Sequence, residues 1–254
     1  MATSKIVFIT GATSGFGEAC AHQFAQNGYH LILNGRRYER LKKLSDELKQ
    51  QYNSESYLLP FDVQDQQAVF EAVNTLPDEW QAIDVLINNA GLALGRDLFD
   101  EANLDDWNTM LDTNVKGLLY VSKAVLPFLI KRGSGHIINL GSVAAKEVYE
   151  RGNVYCASKA AVDSISQAMR IDLLRHHIKV TAIHPGAAET EFSLVRFKGN
   201  EAAAKSIYEG YQPLTAADVA GVIYYTASLP PHVCINDLVL TPTQQANAFY
   251  FYKK

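Results

Sequence analysis

The amino-acid sequence predicts an α/β fold, a doubly wound parallel sheet of about seven strands flanked by helices. Three observations lead there. Short, near-continuously apolar runs rich in β-branched residues recur along the chain, as in strands buried on both faces. Longer amphipathic stretches follow them, the pattern of a strand feeding a crossover helix. The first run leads into its helix through a glycine-rich turn, Thr10-Gly11-Ala12-Thr13-Ser14-Gly15-Phe16-Gly17. Right-handed crossovers then wind the sheet outward in both directions.

The elements follow in order. Ile6-Val7-Phe8-Ile9 is the first strand, and the helix after the turn covers residues 15–27, punctuated by Gly28. Residues 29–33 form the second strand and 37–51 a charged helix; 56–59 form the third strand and 66–76 its helix. Further strands are expected at 84–87, 136–140, 179–183 and 238–240. No Pro-rich, Ser-rich or charge-block linker divides the chain, so residues 1–254 read as one domain. Residues 187–213 are its least regular part, and long excursions at strand C-terminal ends commonly carry ligand contacts. The tail, 244–254, ends Phe249-Tyr250-Phe251-Tyr252, and exposed aromatic clusters of this kind pack on partners, here a neighbouring subunit.

Composition narrows the partners. A net charge of −4 gives no electrostatic reason to expect nucleic acid or an anionic membrane. The three cysteines, Cys20, Cys156 and Cys234, have no metal-ligand or disulfide spacing, which suits a reducing compartment and no metal. No segment approaches the roughly 18 apolar residues of a membrane span. Residues 1–5 lack the layout of a signal peptide, so the expected compartment is cytoplasmic.

Within the turn, Gly11 permits the tight bend, Gly15 lets backbone approach a pyrophosphate, and Gly17 lets helix and strand pack closely. Free N–H groups and the helix dipole attract the anion, so Gly11, Thr13, Ser14, Gly15, Phe16 and Gly17 are the expected phosphate cradle. The second strand ends Asn34-Gly35-Arg36-Arg37, where a site for NAD would carry a carboxylate toward the ribose. Arginine's planar fork suits a 2′-phosphate, so Arg36 and Arg37 favour NADP(H). Asp62, with Val63, either accepts from an adenine amine or caps the next helix. Asn89-Ala90-Gly91, after the fourth strand, leaves room beside a cofactor and ties loop backbone together.

Tyr155 and Lys159 stand four residues apart, on one face of a helix. A cation beside a phenol lowers its pKa from about 10 and readies it to exchange a proton with a carbonyl or alcohol oxygen. Alone, the pair also reads as a solvated helix face.

Taken together, TGATSGFG, NNAG, Asn114, Ser142, YCASK and Pro185-Gly186 make the chain resemble the short-chain dehydrogenase/reductase family over nearly its whole length. The resemblance implies a Rossmann-type fold, a nicotinamide cofactor and reversible alcohol–carbonyl oxidoreduction. It implies Tyr155 as acid/base, Ser142 as hydrogen-bond donor to the reacting oxygen, and Lys159 as tuner of Tyr155 and ligand of the nicotinamide ribose. Asn114 would anchor a proton-relaying water, and Pro185, Gly186 and Thr190 would line the nicotinamide side. Ser142 also reads as a turn residue and Asn114 as a helix kink. The nearer resemblance is to the NADP-dependent 3-hydroxy acid (serine) dehydrogenase branch, on Val195-Arg196-Phe197-Lys198-Gly199 and Gly152-Asn153-Val154-Tyr155 among others. It implies small 3-hydroxy acids as substrates and a homotetramer. Arg196 is the candidate for a substrate carboxylate, with Lys198 second; Arg196 equally reads as a solvent-facing or subunit-bridging cation. His184 reads as a packing residue at a strand end.

The arginines generate the first prediction. The Michaelis constant for NADP(H) should lie at least about tenfold below that for NAD(H), and Arg36→Ala should narrow the gap. A preference for NAD(H) contradicts the reading.

Overall fold

The computed structural model describes residues 5–254; residues 1–4, and with them most of the N-terminal stretch read above, lie outside it. Seven strands form one sheet in the order β3-β2-β1-β4-β5-β6-β7. They are β1 (Ile6–Ile9), β2 (His30–Asn34), β3 (Ser56–Leu59), β4 (Ile83–Asn88), β5 (Gly135–Leu140), β6 (Ile178–Pro185) and β7 (Asp237–Leu240). Every pairing is parallel. The chain winds outward from β1 to β3, then crosses back to β4 and winds the other way. That reversal opens a crevice at the C-terminal ends of β1 and β4, where ligands of such sheets bind.

Both faces of the sheet are covered. The helices are α1 (Gly15–Gln26), α2 (Tyr38–Tyr52), α3 (Gln66–Asn74), α4 (Leu104–Leu111), α5 (Leu118–Arg132), α6 (Asn153–Asp172), α7 (Glu191–Arg196), α8 (Glu201–Ser206) and α9 (Ala216–Ser228). In β1 the pleat sends Val7 and Ile9 to one side, among Phe24 of α1, Leu41 of α2 and Ile223 of α9. Phe8 goes to the other side, among Val69 of α3 and Val121 and Val125 of α5. Each such side chain, fully buried, contributes about 1.5–3 kcal/mol.

Two stretches depart from the sequence expectation. The segment read as irregular carries α7 and α8, capped by Thr190, which accepts from Phe192 N at 3.2 Å, and Asn200, which accepts from Ala203 N at 3.0 Å. Six-residue helices are too short to show apolar periodicity, but their caps are visible in the sequence. Between α4 and α5 the chain widens into a π-turn over Asp112–Gly117, which holds Asn114. No helix of the described residues is long and apolar enough to cross a membrane.

Gly17 shows how tightly α1 sits on the turn. A Cβ there would fall 2.6 Å from Asn89 Nδ2 and closer still to Gly11 O, whereas one at Gly221 in α9 would meet nothing within 4 Å. Gly17→Ala should therefore cost about 1–3 kcal/mol in denaturant unfolding, and Gly221→Ala should be neutral or slightly stabilising. Equal effects would contradict this packing.

Candidate active site

Gly11 and Gly15 adopt φ values of 63° and 54°, the left-handed region that glycine tolerates without strain. The turn they shape is tied to the loop after β4. Thr10 Oγ1 accepts from Asn89 N and Ala90 N, both at 3.0 Å, while Asn89 Nδ2 donates to Thr10 O at 2.9 Å and Gly11 O at 3.1 Å. A Cβ on Gly11 would stand 3.0 Å from Ala90 Cα, so the two loops touch backbone to backbone.

Beside these loops opens a cleft of about 760 Å³. Of the sequence candidates, Gly11, Thr13, Ser14, Gly15, Phe16, Arg36, Arg37, Asp62, Val63, Asn89, Ala90, Gly91, Ser142, Tyr155, Lys159, Pro185, Gly186, Thr190 and Arg196 line it. Two do not. Gly17 sits buried behind the turn, where it makes room for Gly11 and Asn89 rather than touching a ligand. Asn114, 2% exposed, lies behind the wall of the cleft.

The far end of the cleft fits a dinucleotide carrying a phosphate on its ribose. Arg36 Nη1 rests 3.5 Å from Asp62 Oδ2, and Arg37 Nη2 donates to Thr13 Oγ1 at 3.1 Å. Arg36 is two-thirds exposed, and pairs so exposed bind weakly, which leaves its fork available to an anion. Asp62 does not cap the next helix. Asp65 does, accepting from Ala68 N at 3.0 Å, while Asp62 accepts from Gln64 N within its own turn.

At the near end, Tyr155 and Lys159 lie on α6 and are 8% and 6% exposed, so they are no solvated helix face. Lys159 Nζ donates to Leu140 O at 2.8 Å and would stand 3.5 Å from a Cβ on Gly91. Burial pulls its pKa down to about 8. The expected lowering of the Tyr155 pKa is overturned. Burial, reinforced by Tyr149, pushes the phenol above its ordinary value, and the groups that pull it down are the Ser142 hydroxyl and Arg196. Ser142 Oγ accepts from Ala144 N at 3.1 Å, so its own proton remains free for the cleft. Asn114 is committed elsewhere: its Oδ1 accepts from Leu92 N at 2.8 Å, and its Nδ2 donates to Leu92 O at 2.8 Å and Ser158 Oγ at 3.0 Å. Its amide hydrogens are spent on clamping the loop, while Oδ1 keeps a second lone pair with which to accept from a water.

Arg196, in the last turn of α7, is 8% exposed and points inward rather than to solvent. It donates to Gly95 O at 3.4 Å and Tyr149 Oη at 3.1 Å, and its guanidinium lies 5.3 Å from the Tyr155 ring centroid. No carboxylate pairs with it among the described residues. Lys198, the second candidate, pairs with Asp106 at 2.8 Å outside the cleft.

Comparison with known proteins places this geometry. A family model described as short chain dehydrogenase matches residues 5–200. The chain belongs to the short-chain dehydrogenase family. It is 49% identical over 244 residues to sulfoacetaldehyde reductase 2 of Chromohalobacter salexigens, covering 96% of each chain. It is 46% identical to an NADP-dependent 3-hydroxy acid dehydrogenase of Escherichia coli K12, covering 96% of this chain and 97% of that one. A solved serine dehydrogenase in its closed form with NADP+ superposes with a TM-score of 0.91 at 45% identity, covering 98% of this chain and 99% of that one. This short-chain dehydrogenase is thus an oxidoreductase acting on CH–OH groups.

The sequence reading missed several residues that line the dehydrogenase's cleft: Tyr149, Arg96, Tyr208 and the tail residues Ala248, Phe249 and Phe251. Tyr149 and Arg96 stand near quoted motifs and Tyr208 lies in the stretch expected to carry ligand contacts, whereas the tail's aromatic cluster pointed to a neighbouring subunit. The tail packs in cis instead of standing free: Phe251 lies tilted against Tyr211, the ring centroids 5.0 Å apart, and Gln245 Oε1 accepts from Ala187 N at 2.8 Å. Tyr250 and Tyr252 remain exposed.

The buried Lys159 ammonium has a measurable consequence. Between about pH 8 and its ordinary 10.5, the unfolded chain holds this proton more tightly than the folded one, so the cost of the buried charge fades as pH rises. The Tm of the native enzyme should gain on that of Lys159→Met as pH rises through this window. A flat difference contradicts the assignment.

Proposed function

We propose that this enzyme interconverts a small acid-bearing alcohol and its carbonyl form with NADP(H), the alcohols being 3-hydroxy acids such as L-serine, L-allo-threonine and 3-hydroxypropionate. The observation that carries the proposal is Arg196, a buried guanidinium without a carboxylate, directly over the ring of Tyr155. A buried cation is costly unless paired, and a substrate acid group supplies the missing partner. Arginine also presents a fork that matches a carboxylate.

The cofactor would rest on the turn of Gly11 and Gly15, with Arg36 and Arg37 on the ribose phosphate and Asp62 and Val63 at the adenine. Ala90, Gly91, Lys159, Pro185, Gly186 and Thr190 would flank the nicotinamide half. When bound, NADP(H) supplies or accepts the hydride at the carbinol carbon. Tyr155 donates its phenol proton to the carbonyl oxygen during reduction and recovers it during oxidation. Its raised pKa keeps that proton on the phenol at neutral pH, the form reduction requires. Ser142 donates its hydroxyl hydrogen to the same oxygen, and the charge on Lys159 offsets that of the phenolate left behind. Asn114 contributes by holding Leu92 in place.

One observation favours a second reading. Arg96 stands at the rim 6.0 Å from the Tyr149 ring, on which Arg196 also lies at 5.7 Å. Two guanidiniums and the Tyr149 hydroxyl make a broad donor set, which suits the three oxygens of a sulfonate such as sulfoacetaldehyde, as well as a carboxylate. A carbonyl reductase acting on neutral ketones or aldehydes uses the same Ser142, Tyr155 and Lys159 but gives Arg196 no role. A non-catalytic nucleotide sensor gives those three none either. The aromatic tail and the family resemblance support a homotetramer.

A steady-state screen of L-serine, L-allo-threonine, 3-hydroxypropionate, sulfoacetaldehyde and neutral aldehydes tests the proposal. Acid-bearing substrates should dominate, and Arg196→Leu should raise their KM at least about tenfold while sparing neutral aldehydes. Tyr155→Phe should lower turnover at least about a hundredfold with NADPH binding intact. Better turnover of neutral aldehydes than of any acid would sink the proposal.

A further inference from the structure

His184 precedes Pro185 at the end of β6, and its ring is fully buried. Its surroundings are polar. Nδ1 lies 3.4 Å from Ser142 N and 3.2 Å from Ser142 O. Nε2 lies 3.1 Å from Asp237 Oδ1 and 3.6 Å from Asp163 Oδ1. Lys146 Nζ closes the group, 2.9 Å from Asp163 Oδ2 and 2.5 Å from Asp237 Oδ2. The four side chains come from the turn after β5, from α6, from β6 and from β7. The histidine and carboxylate ligand atoms fall within 4.8 Å of one another, as around a cation, and the cation at both carboxylates is this chain's own lysine.

The ladder between β5 and β6 explains what the ring does. Gly141 N donates to Ile183 O at 2.7 Å, and one residue further on, Ser142 N meets His184 Nδ1 instead of a carbonyl. The ring comes this close because Gly141 lacks a side chain: a Cβ there would stand 2.6 Å from His184 Cε1. The imidazole therefore adds one side-chain rung beyond the backbone ladder, at the residue whose hydroxyl faces the cleft.

We infer that His184 is a positioning residue for Ser142, its ring fixed by Asp237, Asp163 and Lys146 so that the Ser142 hydroxyl stays aimed at the reacting oxygen. The inference rests on the role given to Ser142 above. Nδ1 meets both backbone groups of Ser142: in one neutral tautomer it donates to Ser142 O, and in the other, with the hydrogen on Nε2, which faces Asp237 without a formed hydrogen bond, it accepts from Ser142 N–H. An imidazolium has donors at both nitrogens and loses that bond. Burial and the Lys146 charge hold the ring neutral, against Asp237 and Asp163, which favour its protonation. Replacing Lys146 removes one of these two restraints.

Four variants test the inference: His184→Leu, His184→Asn, Lys146→Met and Ser142→Ala. His184→Leu should lower kcat about ten- to a hundredfold, with the Kd for NADPH within about twofold of native. His184→Asn, whose amide reaches the place of Nδ1, should recover most of that loss. Lys146→Met should move the acid limb of the kcat–pH profile upward, because the ring then protonates more readily. Retained kcat in His184→Leu beside an inactive Ser142→Ala overturns the inference alone, as does an Asn variant no faster than Leu. Should His184→Leu fail to fold, an unmoved acid limb in Lys146→Met overturns it. A fully active Ser142→Ala overturns instead the assignment of Ser142.

Discussion

Arg196 lies over the buried Tyr155 phenol and Lys159 is buried one helical turn further along α6, and among the described residues neither cation is closed by a carboxylate. Each such burial costs several kcal/mol unless hydrogen bonds or an incoming charge offset it. The fold supplies only part of that offset: Leu140 O accepts from Lys159, and Gly95 O and Tyr149 Oη accept from Arg196. The remainder is left to whatever binds. Under the proposed function an anionic ligand completes the electrostatics of the cleft.

Holding two cations in place demands rigid surroundings, and the C-terminal edge of the sheet provides them with polar ties. Thr10 and Asn89 join the loops after β1 and β4, and Asn114 pins the second of these to the π-turn. His184 extends the β5–β6 pairing to Ser142. Each tie uses a side chain to satisfy backbone groups where the ladder has ended, which is how irregular backbone stays ordered in a partly buried place. Small residues appear where these loops meet. Gly11, Gly17 and Gly141 each face a neighbour that a Cβ would strike.

Much of this was legible in the sequence because it depends on local pattern. Buried parallel strands announce themselves as apolar runs, and β1 and β3 fall at the expected residues. The phosphate turn, Arg36, Tyr155 and Lys159 belong to short motifs whose spacing reflects one helix or one turn. What stayed hidden depends on contacts between distant segments. The rise in the Tyr155 pKa comes from burial by elements far along the chain, which no i,i+4 argument can weigh. His184 meets Asp163 and Asp237 only once β6, α6 and β7 are packed. Helix α7, too short for periodicity, aims Arg196 inward and separates it from Lys198, two residues on.

The central claim, that the cleft is built to seat an acid group on Arg196 beside the Tyr155 phenol, is tested most directly by unreactive ligands. Inhibition by propionate, ethanesulfonate and the uncharged isostere propionamide should be measured on the native enzyme and on Arg196→Leu. The account predicts that the anions bind at least about tenfold more tightly than the amide, and that Arg196→Leu abolishes the difference. Equal binding of amide and acid by the native enzyme would contradict it.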